Sequence, residues 1–357
     1  MKTRELKFNP DQLRFTGIIG TGGIGSGKFF VLNGNNTLGR EESRSGHFLD
    51  IRDYCKQHII LHYVKVLLGP SFSVIPIGKI GDDDIGQILF REMGQTGFVM
   101  NRIKIVPKVS TLFSFCYTYP DGSGGNLTTD NSASSYVDED FIETAAADIE
   151  NLGTRGIIMA APEVPLKARQ KILELGRQHG LFCSASFTTE EINHALEAGI
   201  IANIDLIAIN LDEASAFAGS FADKADTVSI VESAVQKLRI NNENILVSIT
   251  AGKKGSWCWD SRQMNPFPAI ATKAVSTAGA GDAFFSGLLC GIALGLTLNE
   301  AQQLATLVAG LSVTSPHTIH SGVDRYSLFE YLNTSDLKFS KRIIKLLDYD
   351  EPKVETD

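Results

Sequence analysis

The run Ala274-Val-Ser-Thr-Ala-Gly279-Ala280-Gly281-Asp282-Ala-Phe-Phe carries the most chemistry in the chain. Gly279 and Gly281 leave successive backbone amides free of side chains where an apolar stretch of helical length begins. Unsatisfied amides at a helix start, added to the positive end of its dipole, make a hole for an anion. A carboxylate at Asp282, beside that hole, is placed to accept a proton from a hydroxyl attacking a phosphoryl group. Read alone, the same Asp is equally suited to capping the helix. Asn210-Leu-Asp-Glu213 follows the apolar run Asp205 to Ile209. Its amide and carboxylate, three apart, suit either a hydrated magnesium ion or an ordinary capping box. Ser248-Ile-Thr250-Ala-Gly252-Lys-Lys-Gly255 follows another apolar run. Its glycines and Thr250 suit a turn around a nucleotide phosphate or ribose, and equally a plain hairpin.

The elements that must hold these residues follow from patterning. From about residue 140, helical stretches alternate with short apolar runs at Gly156 to Ala160, Gly180 to Cys183, Asp205 to Ile209 and Asn244 to Ile249. Strands spaced by helices predict βαβ units and a parallel sheet buried on both faces. Such sheets bind ligands beyond the carboxyl ends of their strands, which is where the motifs lie. Upstream, Arg14 to Leu32 reads as extended around a glycine-rich turn, and Tyr54 to Leu68 as a helix stopped by Gly69-Pro70. Ser73 to Ile77 predicts a strand, Gly86 to Met93 a helix, and residues 98–137 meandering β-structure.

Gly20-Thr-Gly22-Gly-Ile-Gly25 fits the dinucleotide pattern, and Gly22 to Lys28 fits the nucleotide-loop pattern G-x-x-x-x-G-K. Both need a helix at once, to present its amides to phosphate. Here Phe29-Phe-Val-Leu follows, a strand pattern, and Phe29 replaces the Ser/Thr that would ligate magnesium. A glycine-rich crossing, where backbone approaches a ligand or another strand, accounts better for the run.

With 43% hydrophobic and 21% charged residues, the 357-residue chain is neither disordered nor collagen-like. A net charge of −8 without a basic run argues against a nucleic-acid partner. Five scattered cysteines form no C-x-x-C pair, which suits a reducing compartment. The N-terminus lacks a signal peptide's apolar core, and Ala283 to Leu298 is shorter than the ~20 residues of a membrane span. The expectation is a cytoplasmic protein without a membrane partner. His58 and His62, four apart on a helix, read as a core or solvated pair; His317 and His320 read as loop residues, and Trp257 and Trp259 as packing.

Taken in this order, the strand-end motifs give a resemblance. The chain resembles the ribokinase-like (phosphofructokinase-B type) carbohydrate kinases, whose D-T-x-G-A-G-D motif appears as Ser276-Thr-Ala-Gly-Ala-Gly-Asp282. Their N-x-x-E appears as Asn210 to Glu213, their T-x-G-x-x-G as Thr250 to Gly255, and their G-x-x-G-x-D-x-x-G at Gly78 to Gly86. The resemblance covers residues 14–335 as one kinase domain, followed by a disordered tail at 346–357. It implies an α/β fold with a mostly parallel central sheet, helices on both faces, and a small β-sheet lid from residues 28–50 and 98–130. It implies an ATP- and Mg2+-dependent kinase acting on a hydroxyl of a sugar or polyol, with Asp282 as base and Gly279, Ala280 and Gly281 as the anion hole. Asn210 and Glu213 would hold magnesium through water, and Thr250, Gly252, Gly255, Thr277 and Ala278 the nucleotide. A homodimer through the lid follows by the same analogy.

The chain also departs from that pattern. Ser276 stands where the family has an Asp that shapes a monovalent-cation site, so dependence on such a cation is left open. The G-G-x-x-x-N sugar motif is absent around Tyr54 to Ile59, and Gly25 replaces a sugar-binding Asp. The acceptor half is therefore rebuilt, with Asn33, Asn35, Arg40, Glu41 and Lys56 as candidate contacts, joined by Arg44, Asp50 and His58. Alternatives are a nucleoside kinase of the same fold, a nucleotide- or sugar-binding protein without transferase activity, and, from Gly20 to Gly25, a nicotinamide-dependent oxidoreductase.

Overall fold

Runs of Ile, Val and Leu between helical stretches form the strands of a central sheet in the computed structural model, which describes residues 5–121, 124–219 and 226–348. In chain order the elements are β1 (Gly17–Thr21), β2 (Gly25–Leu32), β3 (Gly46–Tyr54), α1 (Lys56–Leu68), β4 (Ser73–Gly81), α2 (Asp84–Thr96), β5 (Ile103–Val106), β6 (Leu112–Thr118) and β7 (Gly124–Thr128). There follow α3 (Glu139–Glu143), α4 (Ala146–Leu152), β8 (Gly156–Ala160), α5 (Leu166–Gln178), β9 (Phe182–Ala185), α6 (Ile192–Glu197), β10 (Leu206–Asn210) and α7 (Leu211–Ala218). The remainder is α8 (Thr227–Asn241), β11 (Leu246–Thr250), β12 (Ser256–Trp259), β13 (Met264–Phe267), α9 (Ala280–Ala293), α10 (Leu298–Ser312), α11 (Arg325–Asn333) and α12 (Lys341–Leu347).

The larger sheet runs β13-β12-β11-β10-β9-β8-β1-β4-β5, parallel except at β12 and β13. In β1, Ile18 packs into the core built with α1, α9 and α10, while its neighbour Ile19 packs into the core built with α5 and α8. Both are fully buried, as a strand covered on two faces requires. Two glycines let α9 lie close against α10: a Cβ on Gly287 would stand 2.4 Å from Ala305 Cα, and one on Gly291 2.5 Å from Ala301 Cβ.

The smaller sheet, β3-β2-β6-β7, is the lid. It draws on residues 25–54 and 112–128, so the expected boundaries at 28–50 and 98–130 need correction. Ile103 to Val106 belongs instead to the large sheet, paired with Gly78 to Gly81 of β4. Alternation of side chains along a short strand does not say which sheet it joins, and here the pairing with β4 decides. Other expectations shift as well. The packed body reaches past 14–335, because Leu6, Ile343 and Leu347 are buried in the same core. Residues Leu346 and Leu347 close α12, and 349–357 of the expected tail lie outside the described residues. Among the described residues, no helix is long and apolar enough to cross a membrane.

Candidate active site

Helix α9 starts at Ala280, two residues before Asp282, with Gly279 as its N-cap in the left-handed conformation at φ 78°. Asp282 is thus the third helical residue, and its carboxylate is not the cap. A Cβ on Gly279 would meet the Thr318 carbonyl oxygen at 2.9 Å, whereas one on Gly281 would meet nothing within 4 Å. Ala280 N–H donates to Thr277 O, and Ala283 N–H to Gly279 O. Among the described residues no protein acceptor takes the Gly281 and Asp282 amides, so two donors at the positive end of a buried helix face open space.

Asp282 is met by Lys56, the first residue of α1, whose Nζ lies 3.8 Å from Oδ1. Burial raises the Asp282 carboxyl above its ordinary range, and Lys56 opposes that rise. The Lys56 ammonium is held charged by Asp282, with Glu163 and Glu213 adding to the effect. Glu163 follows β8 in the sequence Ala161-Pro162-Glu163, and its Oε2 accepts the Lys56 backbone N–H at 3.1 Å. It holds a left-handed φ of 76°, a conformation a non-glycine residue keeps only where its surroundings enforce it. A Cβ on Gly23 would stand 2.4 Å from Glu163 Cβ and Oε2, so the β1–β2 glycine run gives Glu163 its room. No helix follows that run, which removes the basis for dinucleotide binding there.

Asn210 caps α7, and the capping box is fully formed: Glu213 N–H donates to Asn210 Oδ1 at 2.9 Å, and Asn210 N–H to Glu213 Oε2 at 2.8 Å. The cap does not remove either residue from the site, since both line one small cavity with Lys56, Ser186, Thr250 and Asp282. Glu213 and Glu163 are each pushed up to about 7, first by burial and further by the charge of Asp282. Three carboxyl groups around one ammonium leave the site short of positive charge. A divalent ion arriving on phosphate oxygens would fit that deficit, with Glu213 and Asn210 supplying oxygen donors. Among the described residues no cluster forms a protein-only metal cage.

An apolar cleft of about 310 Å³ adjoins this cavity, with Thr250, Gly281 and Phe284 common to both. Thr250, Gly252, Gly255, Thr277 and Ala280 line it together with Ile270. Thr250 closes β11, Gly252 and Gly255 take positive φ in the turn to β12, and Ala278 N–H is held by Ser276 Oγ at 3.3 Å.

Of the five candidate acceptor contacts, the structure brings Lys56 to Asp282. Asn33, Asn35, Arg40 and Glu41 lie in the exposed connection between β2 and β3. There Asn33 donates to Ser45 Oγ and Asn35 accepts from Asp121 N–H. His58 is buried and His62 half-buried, and both are held neutral by burial, at about 3 and about 4. His317 and His320 lie in a loop. His317 Nδ1 accepts the Arg52 N–H, and His320 N–H donates to Tyr63 Oη.

Two residues of the site were missed in the sequence. Glu163 follows an apolar strand directly, and the strand-end rule that flagged Asn210 and Thr250 points to it as well. Asp53, the penultimate residue of β3, had no such signal. It is 6% exposed, and a Cβ on Gly27 of the neighbouring strand would stand 2.2 Å from its Oδ2. Cys116 Sγ donates to Asp53 Oδ2 at 3.6 Å, while Ser114 Oγ donates to Asn126 Oδ1 at 2.6 Å. Burial raises the Asp53 pKa, and Asp282 adds to the rise.

The model of the pfkB family carbohydrate kinases matches residues 61–325. Deoxyribokinase from Salmonella typhi is 24% identical over 264 residues, 74% of this chain and 83% of that protein. Adenosine kinase from Saccharomyces cerevisiae is 25% identical over 254 residues, 68% of this chain and 72% of that protein. Among solved structures, ribokinase from Cryptococcus neoformans in complex with ADP shares the fold, with a TM-score of 0.71 at 19% identity over 89% of this chain and 99% of that one.

Proposed function

The chain belongs to the pfkB family of carbohydrate kinases, and from that premise we propose that it moves the terminal phosphoryl group of ATP to a hydroxyl of a sugar or sugar-like alcohol. The observation that carries this reading is Asp282 in the first turn of α9, beside two bare amides and 3.8 Å from Lys56. A carboxyl whose proton affinity burial raises, with an adjacent ammonium opposing that rise, is suited to accepting one proton. Asp282 takes the proton of the acceptor hydroxyl as that oxygen bonds to phosphorus. The bond from phosphorus to the bridging oxygen breaks, and its electron pair leaves with ADP. The amides of Gly281 and Asp282 face the charge spread over the transferred group, which is where fixed dipoles act most strongly.

The cleft bordered by Thr250, Gly252, Gly255 and Thr277 receives the nucleotide in this reading, and its apolar lining suits a base. Mg2+ bound with the nucleotide would supply charge neutralisation at the phosphates, and Glu213 and Asn210 are the residues that would hold it. The lid, built from β2, β3, β6 and β7, keeps water from the phosphoryl group until an acceptor fills the site. A nucleoside acceptor is the second reading, favoured by the likeness to an adenosine kinase. The outer face of the lid, where Phe30, Phe48 and Phe115 cluster and Leu127 is exposed, is the surface we assign to a homodimer.

The test is ATP consumption across sugars, polyols and nucleosides, with Asp282→Asn as the blank. Acceptor-dependent turnover lost in that variant supports the assignment. Equal turnover in both proteins removes it.

A further inference from the structure

A second cavity, of about 250 Å³, lies between α2 and the outer face of β2 and β3. Its origin is a break in strand pairing. Gly27 of β2 pairs with Asp53 and Phe29 with Leu49, so the single residue Lys28 stands against Asp50, Ile51 and Arg52. In a regular strand Asp50 and Arg52 would share one face and Ile51 would take the other. Here all three line the cavity, as a bulge permits. Asp53, the next residue, turns to the inner face, where it meets Cys116. The cavity shares no lining residue with the site at Asp282 or with the cleft beside it.

Ile85 and Ile88 of α2, with Phe113 of β6, give the cavity an apolar wall. Arg52 is paired with Glu92 of α2, which also accepts the Tyr54 hydroxyl at 3.1 Å, so these groups are satisfied within the protein. Lys28 and Asp50 also line the cavity, both exposed, and among the described residues neither forms an ion pair. One such charge is ordinary on a protein surface. Two of opposite sign, on adjacent strands beside one apolar wall, select a ligand that carries both signs and an apolar body.

We infer that this cavity binds a zwitterionic α-amino acid with an apolar side chain. Its carboxylate meets Lys28, its ammonium meets Asp50, and its side chain packs against Ile85, Ile88 and Phe113. The volume falls below the roughly 300–1,000 Å³ of sites for drug-sized ligands, which suits a single amino acid. A carboxylate without the ammonium would be opposed by Asp50, and an amine without the carboxylate by Lys28.

The test is calorimetric titration of the intact, nucleotide-free protein with L-leucine and with L-phenylalanine. It reads binding and no turnover, so its outcome is separate from the kinase reading. At least one of the two is expected to fill a single saturable site per chain. Lys28→Gln and Asp50→Asn, each checked for fold by melting temperature, should each weaken that binding about 10- to 100-fold, the scale of a hydrogen bond to a charged group. Isocaproate and hydrocinnamate, the counterparts without the ammonium, and isoamylamine and phenethylamine, those without the carboxylate, should be weaker by a similar factor. Absence of saturable binding by both amino acids overturns the site. Unchanged binding in either variant, or a counterpart that binds as tightly as its amino acid, overturns the zwitterion assignment.

Discussion

Individual side chains at this site are tuned chiefly by burial and by one another's charge. In the proposed mechanism Asp282 moves a proton, so Asp282→Asn should lower kcat by about 10²–10⁴ while leaving nucleotide affinity near wild type. Steady-state kinetics with an accepted alcohol, paired with nucleotide titration, checks both parts. Glu163 and Glu213 give a pH dependence whose sign can be worked out. Each is raised to about 7 from an ordinary 4.5, so between those values the folded chain holds protons that the unfolded chain has released. The stability they contribute is complete below about 4.5 and is lost as pH rises through 7. The ligand-free protein should therefore melt at lower temperature at pH 8 than at pH 6. Glu163→Gln should flatten that difference; a slope identical to wild type would contradict the assigned cause.

At the scale of elements, α9 is the part that joins fold to chemistry. Its first turn carries the bare amides and Asp282, and its buried length fixes where that turn points. Gly279→Ala would place a side chain at φ 78° and 2.9 Å from the Thr318 carbonyl oxygen. About 1–2 kcal/mol of strain is expected from the backbone alone, with a fall in kcat as the amides move. Gly287→Ala tests the same helix at its packed middle. The added methyl would lie 2.4 Å from Ala305 Cα, against backbone that cannot swing away. Overpacking of this kind costs about 1–3 kcal/mol, to be read as a lower melting temperature, and kcat should fall with it because α9 carries Asp282.

For the whole molecule, the lid has two faces with different work. Asp53 and Cys116 look inward, while Phe48, 59% exposed, and Leu127, 62% exposed, look outward. Phe30 and Phe48 meet edge to face with centroids 5.0 Å apart, which fixes a firm aromatic surface. A homodimer through this face predicts that Phe48→Asp with Leu127→Asp shifts the sedimentation coefficient to that of a monomer. A wild-type monomer at micromolar concentration would set the proposal aside.

The chain alone was enough to locate the motifs that make up the proposed phosphoryl-transfer half of the site. Gly279 to Asp282, Asn210 to Glu213 and Thr250 to Gly255 are local motifs, each set at the end of a strand or the start of a helix by patterns within a dozen residues. The parallel sheet was legible for the same reason, since apolar runs repeat between helical stretches. Tertiary structure decided which residues stand opposite those motifs. Lys56, Glu163 and Asp282 come from distant segments, and only the placing of β1 between β4 and β8 brings α1 beside the end of β8. The side of β3 that faces Asp282 likewise depends on its register with β2, where Asp53 meets Gly27. Hydrophobic periodicity says which side of an element is buried. It is silent on which neighbour covers it, and so on which carboxylates converge.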